Sequence, residues 1–163
     1  MTDEIAALAA LDIVGGSARQ QSLEGFYSKW QSEPLVLLKW LALSAGSNQS
    51  GNLPAVKQLV DHPAFNISNP NSCYSLFLSF ARSPVNFHAA DGSGYEFMGD
   101  AVLRVDKVNR QVAARMVGAF TTWRQYDSLR QAAMRTQLQR IVGTEGISEN
   151  VFEIASRSLE AAS

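Results

Sequence analysis

The stretch NFHAADGSGY, from Asn86 to Tyr95, combines the densest turn chemistry of the chain with strongly apolar sequence on both sides. Its Asp91-Gly92-Ser93-Gly94 segment predicts a turn, because glycine accepts backbone angles that other residues resist and Asp and Ser bond to nearby backbone groups. Apolar residues recur at helical spacing before the turn and after it: Cys73, Leu76, Phe77 and Phe80, then Tyr95, Met98, Val102 and Val105. The sequence therefore predicts two amphipathic helices joined by a structured corner.

Helical spacing continues along the rest of the chain, and Gly, Pro and capping residues mark where helices begin and end. Helix starts are expected at five places: Thr2, Ser17, Pro34, Asn52 and Ser148. Two further helices are expected to run from Val112 to Trp123 and from Leu129 to Ile141, with Leu129, Ala133, Met134, Leu138 and Ile141 of the latter facing inward. The pattern predicts about nine helices in all and no convincing strand.

Apolar residues occupy nearly every position from Leu35 to Leu43. A helix that is apolar all round is buried on more than one side, so we expect this segment in the middle of the fold. A strand is the alternative, but Leu and Ala favour helix and no alternation is visible.

Short connections make sequential helices pack antiparallel, and such pairs in series stack into a curved solenoid. The predicted fold class is therefore all-α, a superhelical stack of antiparallel helix pairs. A chain of 163 residues fits a single domain over residues 1–163.

Composition narrows the function classes. The net charge of -1 gives no overall attraction to nucleic acid or to anionic lipid. The apolar run ending at Leu43 is too short to span a bilayer, and the start of the chain lacks the basic region of a signal peptide. Cys73 has no partner for an internal disulfide, which suits a reducing compartment and predicts a cytoplasmic protein.

Groups that could carry chemistry are scarce. Zinc peptidases place two histidines four residues apart on a helix, whereas this chain has only His62 and His88, far apart in sequence. We expect His62 at a helix end before Pro63, His88 held in the turn, and Cys73 as a buried thiol. The sequence thus predicts no metal ligands and no catalytic residues in this chain.

Basic residues crowd the second half of the chain: Arg104, Lys107, Arg110, Arg115, Arg124, Arg130, Arg135 and Arg140. Nucleic-acid binding needs a continuous positive stripe and exposed aromatic rings, but Phe120, Trp123 and Tyr126 fit an inner helix face. A solvated face with scattered ion pairs is the expected structure for most of these residues.

Ordered motifs give the chain a family resemblance. They are Asn69-Pro70-Asn71, Ser79-Phe80-Ala81, Phe87-His88 with Asp91-Gly92-Ser93-Gly94-Tyr95, Asn109-Arg110-Gln111-Val112-Ala113 with Arg115, Trp123-Arg124-Gln125-Tyr126-Asp127, and Arg130-Gln131. Their order, from about Leu23 to the end, resembles the C-terminal domain of the bacterial aminopeptidase N family. The resemblance implies an armadillo- or HEAT-like superhelix.

The resemblance also implies a parent enzyme, a zinc metallopeptidase that releases N-terminal amino acids from peptides. The catalytic domain and the zinc ligands would lie outside this chain, which alone should be inactive and hold no cofactor. Its implied partners are the catalytic domain of the same polypeptide and peptide substrates in a shared cavity. Its implied task is to cover the active-site chamber and restrict substrate access.

Arg115 is the candidate substrate-binding residue. It lies between Ala114 and Met116 on a mostly apolar helix, so its side chain must extend outward or face a partner. In the family that the chain resembles, the matching arginine faces the cavity, where a guanidinium could pair with the carboxylate end of a peptide. An ion pair with Asp or Glu of a neighbouring helix is the alternative. Relatives often carry arginine near Cys73 and Tyr74, and its absence here weakens the case for a tight carboxylate clamp.

Two other function classes stay open. One is a free-standing helical-repeat module that binds a protein or peptide on its own exposed groove. The other is a self-contained enzyme, for which the sequence offers the least support because no catalytic constellation is visible.

Overall fold

The computed structural model describes residues 1–160, and within them every regular element is helical. The α-helices are α1 (Thr2–Val14), α2 (Gly16–Trp30), α3 (Pro34–Ala45), α4 (Leu53–Leu59), α5 (Pro70–Cys73), α6 (Ser79–Ala81), α7 (Pro84–Phe87), α8 (Ser93–Asp106), α9 (Arg110–Val117), α10 (Ser128–Val142) and α11 (Glu149–Glu160). A π-helical segment, Tyr74–Leu78, joins α5 directly to α6. None of the helices in the described part of the chain is long and apolar enough to cross a membrane.

The helix count differs from the prediction by one short element. With α5, the π-helical segment and α6 counted as one continuous helix, residues 1–160 form ten helices, and α7 is the additional one. The helix predicted from Val112 to Trp123 is also interrupted. Its α-helical part ends at Val117, and two 3₁₀ turns follow, Gly118–Phe120 and Trp123–Gln125.

The chain divides into two compact units, the first from Met1 to Asn86 and the second beginning at Phe87. In the first unit α3 packs against α2, α4 and α6 and against the π-helical segment, so it lies centrally there as predicted. Its residues Leu41 and Ala45 are fully buried, but Leu35 is 75% exposed. The expected burial of this helix on more than one side therefore holds for most of α3 but not for Leu35 in its first turn.

A network of neutral side chains holds the loop after α3 in the first unit. The Asn86 side chain donates from Nδ2 to the Ser47 and Gln49 carbonyls, both at 2.9 Å, and its Oδ1 accepts from the Asn52 amide at 3.1 Å. Ser83 Oγ donates to the Ser47 carbonyl at 2.8 Å. Asn52 precedes α4 as predicted, but its side chain does not cap that helix, because Nδ2 donates to the Ser44 carbonyl instead.

In the second unit α8 packs against α9 and α10, and α11 packs against α9 and α10. Fully buried Tyr95, Met98, Met116 and Leu138 form much of its core. Leu129, predicted to face inward, is 72% exposed. It lies in the first turn of α10, where helical periodicity alone does not tell whether another element reaches the helix.

A buried carboxylate joins the end of α8 to the start of α11. Asp106, only 7% exposed, accepts from the Ser148 amide at 2.9 Å and from the Ser148 hydroxyl. Ser148 Oγ in turn accepts from the Val151 amide at 3.4 Å, so the predicted capping role of Ser148 is confirmed. Asp106 orients this cap, and the sequence pattern did not identify its partner because 42 residues separate the two.

Candidate functional site

The corner between α7 and α8 is built by Asp91 and Gly92. The Asp91 carboxylate accepts from the Ser93 amide at 3.0 Å and from the Ser93 hydroxyl at 2.6 Å, and these bonds lower the pKa of Asp91. Gly92 has φ 76°, a left-handed conformation that favours glycine, and its carbonyl accepts the Tyr95 amide as α8 begins. Both predicted roles, the backbone bond of Asp91 and the glycine turn, are confirmed.

Residues from three separate motifs converge on His88. Its Nδ1 is 2.6 Å from the Tyr95 hydroxyl, and its ring stacks on Tyr126 with a centroid distance of 4.2 Å. Arg130 donates from Nε to the His88 carbonyl at 2.8 Å. Three of the motifs that carry the family resemblance therefore meet in one cluster, composed of His88, Tyr95, Tyr126 and Arg130.

The protonation states of this cluster follow from its burial. Desolvation lowers the pKa of His88, and the nearby Arg130 guanidinium lowers it further. Desolvation raises the pKa of Tyr95 to about 12. At neutral pH a neutral His88 ring and a protonated Tyr95 hydroxyl therefore share this hydrogen bond, and the tautomer of the ring decides which of them donates. The Tyr95 hydroxyl and His88 Nδ1 are hydrogen-bonded to each other, so this pair positions α8 and offers no free acid or base.

Arg130 also bonds to Asp127, the N-cap residue of α10. Its Nη1 lies 2.7 Å from Oδ2 of Asp127, and its amide donates to Asp127 Oδ1 at 3.1 Å. The hydrogen bond from the Arg130 side chain lowers the pKa of Asp127. One arginine thus joins the cap of α10 to the backbone of the corner.

His62 belongs to the first unit, whereas the His88 cluster belongs to the second. Its ring contacts Tyr27 and Trp40 at centroid distances of 4.9 and 5.0 Å, and its Nδ1 accepts from the Ala64 amide at 3.1 Å. Burial lowers its pKa, so the ring is neutral at pH 7. Both histidines therefore have structural partners of their own.

A zinc ion does not fit the residues present. Structural and catalytic zinc sites need three or four converging His, Cys or carboxylate ligands. No group of three or more such side chains converges anywhere within residues 1–160. Cys73 is buried, its thiol donates to the Ile67 carbonyl at 3.2 Å, and desolvation raises its pKa to about 11, which confirms the prediction that it packs as an apolar residue.

Arg115 lies on the exposed side of α9. Its neighbours Ala114 and Met116 are buried, and the whole inner side of this helix belongs to the core of the second unit. Asn109 fixes the start of the helix, since its Oδ1 accepts from the Val112 amide at 3.1 Å. Arg115 itself is an exposed residue, whereas both of its neighbours are buried.

The expectation of a solvated basic face holds only in part. Arg140 forms an exposed ion pair with Asp100 at 2.8 Å, as expected for scattered surface pairs. Arg124 instead donates to the carbonyls of Ser158 and Leu159, both at 2.8 Å, while its guanidinium lies over the Trp123 ring at 4.2 Å. Those carbonyls end α11, so Arg124 caps the helix. No local sequence signal marks this contact, because its partners are 34 and 35 residues away.

Comparison with known proteins gives consistent matches over nearly the whole chain. The chain is 41% identical over 160 residues to aminopeptidase N of Caulobacter vibrioides, 37% identical over 161 residues to that of Haemophilus influenzae, and 36% identical over 160 residues to that of Escherichia coli. Each match covers 98% of this chain and 18% of the relative, in its C-terminal portion.

A solved structure has the same fold. The crystal structure of Legionella pneumophila aminopeptidase A in complex with aspartic acid matches with a TM-score of 0.94 and 33% sequence identity, over 99% of this chain and 19% of that one. The predicted all-α, armadillo-like fold class is thereby confirmed. Residues 1–160 also match the family described as domain of unknown function (DUF3458_C), ARM repeats. The chain therefore belongs to the DUF3458_C family of armadillo-repeat domains.

Proposed function

We propose that this chain serves as the C-terminal helical domain of an aminopeptidase N. The observation that carries the proposal is the 36–41% identity to aminopeptidase N across 98% of the chain, within 18% of the relatives' length. The parent enzyme releases N-terminal amino acids from peptides in the cytoplasm. Zinc supplies the hydrolytic chemistry there, and residues outside this chain hold it.

The role of this domain is architectural. It covers the active-site chamber next to the catalytic domain of the same polypeptide, so that short peptides enter and folded proteins do not. Side-chain hydrogen bonds at the loops and helix ends support this role, because they hold the helices in one arrangement.

Two measurements test the assignment. The purified chain, incubated with zinc and with Ala-, Leu- and Arg-anilides, should release no amine, and turnover would contradict the proposal. The reading frame upstream of Met1 should encode a helix with the sequence HExxH. A frame without it would favour the alternative, a free-standing peptide-binding module.

Arg115 is proposed to bind the carboxylate end of peptide substrates in the chamber. Arg115 is an exposed residue of α9, and the opposite side of that helix is core, so the backbone beneath Arg115 is held in place. Arginine binds carboxylates through two parallel hydrogen bonds, which suits recognition of a peptide end. An ion pair with a neighbouring carboxylate is the competing role.

The test uses the full-length enzyme and two substrate classes. Arg115→Ala should raise KM for short peptides by roughly tenfold, the value of one charge-assisted hydrogen bond, and leave KM for amino-acid anilides unchanged because these lack the carboxylate. Arg110→Ala, an exposed arginine on the same helix, is the matched control. Equal changes for peptides and anilides would remove the proposal for Arg115 without affecting the domain assignment.

A further inference from the structure

A groove of about 540 Å³ runs between α2 and α4 in the first unit. Gln20 and Glu24 line it from α2, Trp40 and Ser44 from α3, and Gln58 and His62 from α4 and the turn after it. This volume lies within the range of ligand-binding pockets, roughly 300 to 1,000 Å³. Neither the domain assignment nor the Arg115 proposal uses this surface, since Arg115 belongs to the other unit.

The walls of the groove are held in place without a ligand. Trp40 donates from Nε1 to the Leu23 carbonyl at 3.0 Å, which joins α3 to α2. Its ring lies against Tyr27 at 4.8 Å and His62 at 5.0 Å. Asn86 fixes the loop that closes one end through its bond to the Gln49 carbonyl. A pre-formed groove binds without the cost of ordering its own side chains.

Several polar groups along the groove have no partner within residues 1–160. Because His62 Nδ1 accepts from the Ala64 amide, the neutral ring carries its proton on Nε2, which makes no hydrogen bond there. Gln58 is exposed, so its side-chain amide is open to a ligand, and the buried Ser44 Oγ has no partner within the described residues. Glu24 accepts one bond from Gln20 at 3.2 Å and forms no ion pair with any described residue.

This set of groups favours a peptide over other ligands. Side-chain donors and acceptors line both walls, and a peptide backbone offers N–H and C=O groups that can bond with both kinds. A sugar would need an open aromatic face, but Trp40 is 7% exposed and its ring is covered by Tyr27 and His62. Nucleic acid would need free cations, whereas the lining Arg19 is paired with Asp12 at 2.6 Å.

We propose that the groove between α2 and α4 binds a short basic peptide segment in extended conformation. Gln58 and His62 bond its backbone from one wall, and the Glu24 carboxylate attracts a basic side chain from the other. Leu23 and Leu59, which also line the groove, contact the apolar parts of the peptide.

The test uses the 163-residue chain and the peptide acetyl-Ala-Ala-Lys-Ala-amide, with acetyl-Ala-Ala-Glu-Ala-amide for comparison. Both ends are blocked, so neither peptide offers the terminal carboxylate proposed for Arg115. NMR titration should shift the indole N–H of Trp40 and the ring protons of His62. The lysine peptide should bind roughly threefold more tightly than the glutamate peptide, and Glu24→Gln should remove that difference.

Two variants of the walls complete the test. Gln58→Ala should weaken binding by roughly fivefold, the effect of one hydrogen bond, whereas Gln21→Ala, an exposed glutamine of α2 outside the groove, should leave it unchanged. His62→Phe keeps an aromatic ring but removes the Nε2 donor, and it should weaken peptide binding by a similar factor. The proposal would be overturned if the two peptides bound with equal affinity, or if Gln58→Ala bound the lysine peptide as tightly as the unmodified chain does. Displacement of the peptide by maltose would also overturn it. None of these outcomes bears on whether the chain belongs to an aminopeptidase.

Discussion

The two units secure their loops with different chemistry. In the unit from Met1 to Asn86, Asn86 and Ser83 bond backbone groups through neutral amides and hydroxyls, with Asp12 as an additional charged anchor. In the unit that begins at Phe87, the corresponding contacts come from Asp106 and from the His88 cluster. Hydrogen bonds to charged groups are stronger, and titratable groups respond to pH. The comparison predicts that the second unit is the more costly to disrupt, and that its His88 cluster adds a response to pH.

Loss of the Asp106 carboxylate should have the largest effect. Asp106→Ala leaves the buried Ser148 amide and hydroxyl without their acceptor, and the start of α11 loses its orienting group. We expect the free energy of unfolding in urea to fall by about 4 kcal/mol, from two bonds to a buried charged group.

Asp100 provides the matched control, because it lies on the same helix but pairs with Arg140 at the surface. Asp100→Ala should cost about 0.5 kcal/mol. Similar losses for the two aspartate variants would show that the buried contact contributes no more than an exposed ion pair.

Asn86→Ala breaks the neutral network of the first unit. It removes the side-chain hydrogen bonds to Ser47, Gln49, Asn52 and Ser83, and should lower the free energy of unfolding by about 3 kcal/mol. Amide hydrogen exchange should report increased opening of the loop after α3. Because Asn86 does not titrate, the loss should be the same at pH 5 and pH 8, and a marked pH dependence would argue against a neutral network.

The hydrogen-bonded pair of His88 and Tyr95 should have the smallest effect on the free energy of unfolding, but that effect should depend most clearly on pH. Since the folded state lowers the pKa of His88, the unfolded chain binds its proton first as the pH falls. Its contribution to stability is thus fully present above the unfolded pKa, about 6.5, and declines as the pH falls below that value towards the folded pKa. Urea unfolding between pH 8 and pH 5 measures this decline.

Tyr95→Phe isolates the hydrogen bond within that effect. It should lower the free energy of unfolding by about 1 kcal/mol, because His88 Nδ1 loses its hydrogen-bond partner. An NMR titration of the histidine rings should leave His62 unchanged, since its lowered pKa arises from burial in the other unit. A change at His62 as large as that at His88 would refute the assignment of the effect to this one contact.

Local signals predicted the elements well where the chemistry is local. The Asp91-Gly92 turn, the cap at Ser148 and the start of α3 at Pro34 all depend on residues a few positions apart. Periodicity predicted burial less well at the helix ends, as exposed Leu35 and Leu129 show. Whether a neighbouring element covers such a position depends on tertiary packing, which one sequence does not reveal.

The candidate sites show the same difference between features set by local sequence and features set by tertiary packing. Helical periodicity separated Arg115 from its buried neighbours on α9, because apolar residues repeat on one side of that helix. The groove between α2 and α4 could not be predicted, since Glu24, Ser44 and Gln58 come from three elements and none stands out in its own stretch. The contact of Arg124 with the end of α11 was missed for the same reason.

The π-helical segment Tyr74–Leu78 has a consequence for how this domain can change its length. A π turn closes from residue i to i+5 and so holds one residue more than an α turn. Deleting a single residue between Tyr74 and Leu78 would restore a regular α-helix while Pro70 and Ala81 keep their places at its two ends. The chain can thus shorten within a buried helix, a kind of variation that most folds confine to their surface loops.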